Sequence, residues 1–384
     1  MEHLQNRLLK HRAIPYISKK FLNDRLTDLV LRNADKTFHR RILPATVRAL
    51  DTLSVIKGGA AIAVHLNNNT PTHLSDLDLE VYVDDENVTI ENLSSYVSLE
   101  RVEQELKTIC ENYYDNIDQA LATININRLM NNTYARDKMF IFKSYINEAI
   151  EFVPDHVRFC LNHAQPFKST VSIVNDDYFL VRYSFNVHMK SFTSIRLHKE
   201  NNHMTNLQFF PLDVFFLDVS VKRSPASFVN MYSLGNIFGV DVYIENIKYL
   251  IADQLECILF NIFNFYWNKV ESRIDRVGNL LNAQTDYFIP TNHEIERYEK
   301  IVKQTHQRFT ARDVKPLLYA LGPLGPQAII ELYFLNRFDN NIKYITHQVN
   351  FPYHVWEQDY YSKCWKQFLY ILNNLYNLKY NVEI

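Results

Sequence analysis

Two stretches of the chain decide the fold: "VIKGGAAIAVHL" at residues 55–66 and "SDLDLEVYV" at residues 75–83. The chain has seven glycines in 384 residues, and the adjacent Gly58 and Gly59 are the only two before Gly235. β-branched residues before the pair and small apolar residues after it predict a strand, a tight turn and a short helix. The second stretch alternates apolar and acidic residues, which predicts a strand with one buried face.

The glycine pair lies where the predicted helix begins. Glycine lacks a Cβ atom, so the backbone amides of Gly58 and Gly59 can approach a ligand closely. The free amides and the dipole at a helix start favour anions such as a triphosphate. When the pair is considered alone, a tight turn without any ligand is the favoured interpretation.

Two carboxylates follow on the next predicted strand. Residues i and i+2 of a strand point to the same face, so Asp76 and Asp78 project together. They repel each other unless a cation lies between them, and oxygen ligands of this kind suit Mg²⁺. Two such ions can hold the attacking and leaving oxygens of a phosphoryl transfer. A solvated strand face is the alternative, but the upstream glycines favour a metal site.

The order of these features resembles the polymerase-β-type nucleotidyltransferases. Their signature is a hydrophobic residue with Gly-Gly or Gly-Ser, a short helix, and then two acids separated by a hydrophobic residue on the next strand. "KGG-A" followed by "SD-D" is most similar to the poly(A) polymerase catalytic subunits of poxviruses and other large DNA viruses. The resemblance covers residues 55–83 and one later acid.

This resemblance implies both a fold and an activity. The fold is α+β, with a nucleotidyltransferase core of mixed sheet and flanking helices and a largely helical C-terminal domain. The activity is template-independent transfer of AMP from ATP to the 3′ hydroxyl of single-stranded RNA, with Mg²⁺ or Mn²⁺ as the metal. Asp76 and Asp78 would bind that metal, while Gly58, Gly59 and Ser75 would contact the triphosphate.

A third carboxylate is needed on a later strand, where it shares the metal and accepts a proton from the attacking hydroxyl. Asp218 is preferred because Leu217 and Val219 flank it, and Asp213 is the alternative. Asp218 as a strand-end acid paired with Lys222 or Arg223 is the simpler interpretation. The 140 residues between Asp78 and Asp218 are long for the family and imply a mainly helical insertion near residues 87–165.

Further candidates would contact the nucleotide. Lys222 follows the third carboxylate and would reach the triphosphate. Lys248 and Tyr249 lie on the first helix after the core, where a lysine would hold phosphates and a tyrosine would stack on the base. An ordinary helix surface is the alternative for Lys248 and Tyr249.

The candidates for RNA binding combine basic and aromatic residues, because bases stack on rings and phosphates pair with cations. They lie in "YFLVRYSFNVHMKSFTSIRLHK" and "KVESRIDRV", and they are Arg182, Lys190, Arg196, Lys199, Lys269, Arg273 and Arg276. An amphipathic hairpin with buried rings and a solvated helix face are the alternatives. The helical spacing assigned to His156, Cys160 and His163 would suit zinc, but no fourth ligand is evident nearby.

Composition limits the remaining possibilities. The net charge is −2, so any contact with nucleic acid must come from a local patch. The four cysteines are widely spaced, which fits a reducing compartment, and no signal peptide or long apolar run is present. These features predict a cytoplasmic protein without a membrane segment, and the resemblance to viral enzymes implies an infected cell or a virion. Numerous aromatic residues predict a homodimer or a partner subunit.

The chain divides by pattern into three parts. We expect an N-terminal helical segment at 1–50, the nucleotidyltransferase core at 51–225 and a helical domain at 226–384, with a hinge near 224–241. Two alternatives to RNA polyadenylation remain. The acceptor would be a protein, a small molecule or a second nucleotide in the first, and the chain would be a non-catalytic RNA-binding subunit in the second.

Overall fold

The structure is a computed structural model. It describes residues 17–35, 37–67, 74, 76–83, 87–126, 129, 149–152, 154–175, 178–198, 204–223, 232–247, 250–251, 253–254, 257 and 267–283. The continuous helices are α1 (Lys19–Asn33), α2 (Thr37–Leu50), α3 (Gly58–Asn67), α4 (Leu93–Tyr96), α5 (Leu99–Glu111), α6 (Tyr114–Ala122) and α7 (Trp267–Ala283). The strands are β1 (Ile17–Ser18), β2 (Ser54–Lys57), β3 (Leu77–Val83), β4 (Ala149–Glu151), β5 (Val157–Leu161), β6 (Phe167–Asn175), β7 (Tyr178–His198), β8 (Met204–Arg223), β9 (Tyr232–Ile237) and β10 (Val240–Glu245).

The ten strands form one mixed sheet with helices beside it. The main order is β1-β4-β7-β8-β3-β2-β10-β9, and β5 and β6 also pair with the long strand β7. The pairs β3–β8 and β2–β10 are parallel, while the other pairs are antiparallel. The predicted α+β class, with a mixed sheet and flanking helices, is therefore confirmed. The predicted helical C-terminal domain lies mostly outside the described residues.

The strand–turn–helix–strand unit predicted around the glycine pair is present. β2 ends at Lys57, α3 begins at Gly58, and β3 runs antiparallel beside β2. Leu77, Leu79 and Val81 of β3 are buried because they face the apolar core. The alternation in "LDLEVYV" thus predicted both the strand and its inner face.

The strands β6, β7 and β8 form the longest part of the sheet. β7 and β8 have 21 and 20 residues. β6 pairs antiparallel with β7. β-Bulges interrupt the β7–β8 ladder after Tyr183 and again after Lys190.

The predicted helical insertion at 87–165 is only partly correct. Helices α4, α5 and α6 lie within it, and Ile126 and Leu129 are also helical, whereas Ala149–Glu151 and Val157–Leu161 are strands. In "VRFCL" the residues Val157, Phe159 and Leu161 are buried alternately, which is the period of a strand. The helical spacing assigned to His156, Cys160 and His163 was therefore wrong. Cys160 lies on β5, His156 lies in a short 3-10 helix before this strand, and His163 lies in a turn after it.

The predicted boundary at residue 225 and the hinge near 224–241 are also corrected. β9 and β10 form a hairpin whose turn has positive φ angles of 53° at Phe238 and 81° at Gly239. β10 then lies parallel to β2 in the core sheet. Phe238 and Gly239 form a two-residue hairpin turn, so the segment 232–245 is part of the sheet and the core extends at least to Glu245.

The N-terminal helices belong to the same core. Leu22, Leu26 and Val30 of α1 are fully buried. Asn23 and Thr27 accept hydrogen bonds from the backbone N–H groups of Asp213 and Phe215, at 3.0 Å each. α1 therefore provides hydrogen-bond acceptors for backbone N–H groups of β8 in the part of that strand that extends beyond β3.

α2 is continuous through Pro44. None of the helices in the described part of the chain is long and apolar enough to cross a membrane.

Candidate functional site

Gly58 forms the turn from β2 into α3. Its φ angle is +58°, in the left-handed region that side chains disfavour. A Cβ atom at this position would overlap the carboxylate of Asp78. A Cβ at Gly59 would meet nothing within 4 Å. The structure therefore requires glycine at position 58, where the backbone lies directly against Asp78, and leaves open space beside Gly59.

A row of charged residues crosses four strands beside this turn. Lys57 of β2 pairs with Asp78 of β3, Asp78 pairs with Asp218 of β8, and Asp218 pairs with Arg182 of β7. Directly paired residues share a face of the sheet, and neighbouring strands lie about 4.8 Å apart. The sheet thus places Asp78 and Asp218 side by side although 140 residues separate them. Asp76 directly precedes β3.

The structure places the alternative carboxylate elsewhere. Asp213 is buried and forms ion pairs with Lys168 at 3.1 Å and Lys19 at 3.8 Å. Its pairing partner in β7 is Asn186, not Arg182. Of the two candidates for the third carboxylate, only Asp218 is the neighbour of Asp78.

Arg182 binds the carboxylate of Asp218 through two nitrogen atoms of its guanidinium group. The Nε atom donates to both carboxylate oxygens at 3.1 Å, and an Nη atom donates to one of them at 2.9 Å. The guanidinium carbon lies 4.2 Å from the centre of the Phe215 ring. The forked contact fixes the Asp218 side chain and compensates its charge. Arg182, predicted as an RNA contact, therefore lies in the carboxylate row.

The carboxylates interact strongly through their charges. Burial raises the pKa of Asp78 well above its usual value, and Asp76 and Asp218 raise it further, against the charges of Arg273 and Arg182. Burial also raises the pKa of Asp218, and Asp76 adds to this, while Arg182 lowers it. The charges of neighbouring acids therefore disfavour the ionisation of Asp78 and Asp218.

Helix α7 brings two cations towards these acids. Arg273 donates to the side chain of Gln254 at 3.1 Å, and its charge lowers the pKa of Asp78. Burial and Arg273 lower the pKa of Arg276, whereas the charge of Asp76 raises it. Two of the RNA-binding candidates on α7, Arg273 and Arg276, therefore lie close enough to the acids for their charges to interact.

The donor chemistry of the row fits a hard divalent cation, because Asp76, Asp78 and Asp218 offer only oxygen ligands. Their side chains are not arranged as a metal-binding site. In the part of the chain that the structure describes, no group of three or more His, Cys, Asp or Glu residues has a metal-binding arrangement. Arg182 supplies the positive charge beside Asp218 instead.

A second charged network lies next to the row. Lys57 contacts Glu80 at 2.9 Å, Asp253 at 3.2 Å and Glu245 at 3.3 Å. Burial lowers the pKa of Lys57, but the three carboxylates outweigh burial and raise it. Lys57 therefore anchors the end of β2, directly before the Gly58 turn.

Glu80 is the centre of this network. Lys222 also donates to Glu80, at 3.0 Å, and Tyr82 donates to it as well. Tyr82 in turn bonds the hydroxyl of Tyr232. Lys222, predicted to reach a triphosphate, is therefore engaged with Glu80. Sequence analysis missed this network, although Glu80 is at i+2 from Asp78 and alternation alone places it on the same face.

The remaining candidates are spread over the chain. Lys190 and Arg196 lie on β7, eight and fourteen residues beyond Arg182. Ser75, Lys199, Lys248 and Tyr249 lie outside the described residues, as does the side chain of Lys269. The structure thus brings together the two glycines, the three aspartates, Arg182, Arg273 and Arg276, and it does not bring Lys190 or Arg196 to them.

Two comparisons relate the chain to proteins of insect viruses. It is 25% identical to Protein AC18 of Autographa californica nuclear polyhedrosis virus over 388 aligned positions, which cover 98% of this chain and all of the relative. It is also 25% identical to a 40.3 kDa protein of Orgyia pseudotsugata multicapsid polyhedrosis virus, over 71% of this chain and 70% of the relative. The family model for Orf18 of the Autographa virus matches residues 2–329. The chain therefore belongs to the family of Orf18 of Autographa californica nuclear polyhedrosis virus.

Proposed function

We propose that this chain is a polymerase-β-type nucleotidyltransferase that transfers AMP from ATP to the 3′ hydroxyl of single-stranded RNA. The observation that carries the proposal is the pairing of Asp78 with Asp218, beside the backbone of Gly58. The Gly-Gly turn, the helix after it and the three acids form one constellation, and each part has a role in the transfer of a nucleotide.

The chain's own groups account for substrate binding. The amides of Gly58 and Gly59 at the start of α3 favour the triphosphate. Arg273 and Arg276 lie beside the acids and would compensate phosphate charge. Asp76, Asp78 and Asp218 would hold Mg²⁺ or Mn²⁺, which would polarise the phosphate and neutralise developing charge. Asp218, whose pKa is raised by burial, is placed to take the proton of the attacking hydroxyl.

One observation favours a second candidate, a nucleotidyltransferase-like subunit without catalytic activity. Arg182 already pairs with Asp218 through both arms, so the third carboxylate has a partner without any metal. A chain that had given up catalysis would retain such a pair for stability. Transfer to a protein, a small molecule or a second nucleotide remains the alternative within enzymes.

The test is incubation of the purified chain with each labelled ribonucleoside triphosphate, Mg²⁺ or Mn²⁺ and a 20-nucleotide single-stranded RNA. We expect a ladder with ATP that is absent for Asp78→Asn. Glu105→Gln, which neutralises an exposed acid on α5, is the matched control and should extend RNA normally.

Other outcomes would replace the proposal. Label on a protein or in a small product would identify a different acceptor. Absence of transfer with every nucleotide, in a chain that still binds RNA, would favour the non-catalytic subunit.

A further inference from the structure

A cavity lies at the opposite end of strand β7 from the carboxylate row. Its volume is about 780 Å³. It is lined by His156, Arg158, Lys190, Ser191, Phe192, Thr193, Ser194, Asn206, Leu207, Gln208 and Phe209. None of these lining residues is acidic, while two are permanent cations and two are phenylalanines. A cavity of this composition suits a ligand with negative charges and flat rings.

A wide bulge in β7 forms one wall of the cavity. Lys190 pairs with Phe209 and Ile195 pairs with Leu207, so residues 191–194 lie opposite the single residue Gln208. The extra residues leave the ladder and carry Phe192 outwards, where 81% of its surface is exposed. A phenylalanine held this far into solvent has no role in the core and is available to a ligand.

The cations and a ring are aligned across the sheet. Arg158 of β5 pairs with Lys190 of β7, and Lys190 pairs with Phe209 of β8. Arg158 donates only to the carbonyl oxygens of Asp155 and Val157. Neither Arg158 nor Lys190 has a carboxylate partner among the described residues. Their charges are therefore not compensated within this part of the chain.

The rings beside the cations are also accessible. Phe209 is 50% exposed, and its ring centre lies 4.8 Å from that of His188. The Nδ1 atom of His156, which lines the same cavity, is buried and has no hydrogen-bond partner among the described residues. Exposed rings with adjacent cations are the combination that binds single-stranded nucleic acid, because bases stack and phosphates pair.

We propose that this cavity binds single-stranded nucleic acid, with a base stacked on Phe192 or Phe209 and phosphates paired with Arg158 and Lys190. The ligand would be the upstream part of an acceptor RNA, and this identification rests on the proposed function. The binding itself does not depend on any transfer.

The strand β7 connects the cavity to the carboxylate row. Arg182, His188 and Lys190 are separated by even numbers of residues, so they share one face of β7. Eight residues separate Arg182 from Lys190, which corresponds to about 27 Å along an antiparallel strand. Between them lies Asp213, which Lys19 and Lys168 compensate. A stacked single strand with a rise of about 3.4 Å per nucleotide would span this distance with roughly eight nucleotides.

The experiment measures binding of a fluorescein-labelled 20-nucleotide single-stranded RNA to the full chain by anisotropy, at several salt concentrations. Phe192→Ala should raise Kd about 5- to 100-fold, the effect of losing one stacked base. Arg158→Ala combined with Lys190→Ala should lower the slope of log Kd against log salt by about 1.4, since each phosphate contact contributes about 0.7. Phe192 is so exposed that its truncation leaves the core intact.

Matched controls are Tyr96→Ala and Arg101→Ala, which remove an exposed ring and an exposed cation from α4 and α5. Both controls should bind RNA as the parent does. The proposal is overturned if the cavity variants keep the parent's Kd and salt slope, or if a duplex of the same length binds as tightly as the single strand.

Parallel transfer assays separate this proposal from the proposed function. The parent should prefer a 20-nucleotide acceptor over a 5-nucleotide one, and Phe192→Ala should lose that preference. If AMP is transferred but Phe192→Ala behaves like the parent, the cavity proposal fails alone. If no transfer occurs but RNA binding requires Phe192, the transferase proposal fails alone.

Discussion

Asp218 and Asp213 are five residues apart on one strand, yet their surroundings give them different tasks. Asp218 is the neighbour of Asp78 and is fixed by Arg182. Asp213 is buried between two lysines and a backbone edge that α1 covers. The surroundings of Asp218 include a second carboxylate, whereas the surroundings of Asp213 neutralise the charge of one carboxylate.

Exchanging each acid for its amide should separate these tasks. We expect Asp218→Asn to abolish nucleotide transfer, because the proposed function assigns to Asp218 the roles of proton acceptor and metal ligand. Asp213→Asn should lower the free energy of unfolding by about 1–3 kcal/mol, since two lysines lose their partner. Transfer per folded molecule should remain with Asp213→Asn. Urea denaturation and RNA extension measure the two effects, and the reverse pattern would make Asp213 the third carboxylate.

Glu245 gives the stability of the chain a dependence on pH. Burial and the charge of Asp253 raise its pKa to about 8 from 4.5, although Lys57 opposes them. A carboxyl with a raised pKa keeps its proton in the folded chain after the unfolded chain has lost it. Its contribution to stability is therefore complete below about pH 4.5 and is lost as the pH rises to about 8.

Glu245→Gln should remove this dependence. Between pH 5 and 8 we expect the parent to lose about 1.4 kcal/mol of stability per pH unit more than the variant, the slope for one proton. Urea midpoints across this range measure it. Glu105→Gln should keep the slope of the parent, and an equal slope in Glu245→Gln would show that Glu245 is ionised in the folded chain.

At the scale of elements, the β2–α3 turn makes different demands on its two glycines. Gly58→Ala should destabilise the chain by at least about 1–2 kcal/mol, because alanine disfavours the left-handed conformation and its Cβ overlaps Asp78. Gly59→Ala should be neutral or stabilising by up to about 1 kcal/mol, since it places alanine in an open helical position.

Nucleotide binding should distinguish the glycines further. If the amide of Gly59 approaches a phosphate, Gly59→Ala should weaken ATP binding without lowering stability. Urea denaturation together with titration of a fluorescent ATP analogue measures both effects. Equal destabilisation by the two substitutions would contradict the observed turn.

The elements show which structures a sequence can predict. β2, α3 and β3 were predicted from local signals: β-branched residues in β2, small apolar residues in α3 and alternation in β3. The glycine pair marks the turn from β2 into α3. β5 was missed because five residues are too few for its alternation to outweigh a helical spacing of His and Cys. The β9–β10 hairpin was missed since its place depends on pairing with β2, almost 200 residues earlier.

The candidate site likewise contains residues whose proximity could be predicted from the sequence and contacts that could not. Asp76, Asp78 and both glycines lie within a single local motif, so their proximity could be predicted. The forked pair between Arg182 and Asp218 arises from the register of two long strands. The contacts of Lys57 join residues from β2, β3, β10 and the helical region after β10. Register and tertiary packing of this kind leave no periodic signal in the sequence.

At the scale of the whole molecule, the sheet joins the beginning and the later part of the chain. A chain that ends at residue 225 would lack β9 and β10, which cover β2 and supply Glu245 to Lys57. We expect this fragment to lose the cooperative urea transition of the full chain, measured by far-ultraviolet circular dichroism. A fragment that unfolds with the parent's midpoint would show that the core ends at 225.

The parallel pairing of β3 with β8 also sets an order in time. Ribosomes add about 5–20 residues per second, so Asp218 is synthesised roughly 7–28 s after Asp78. During that interval β3 has β2 on one side and an open edge on the other, with no later strand to cover it. A nascent chain released before residue 218 thus carries Asp78 without its neighbour. The pair of Asp78 and Asp218 can therefore form only after the ribosome has synthesised β8.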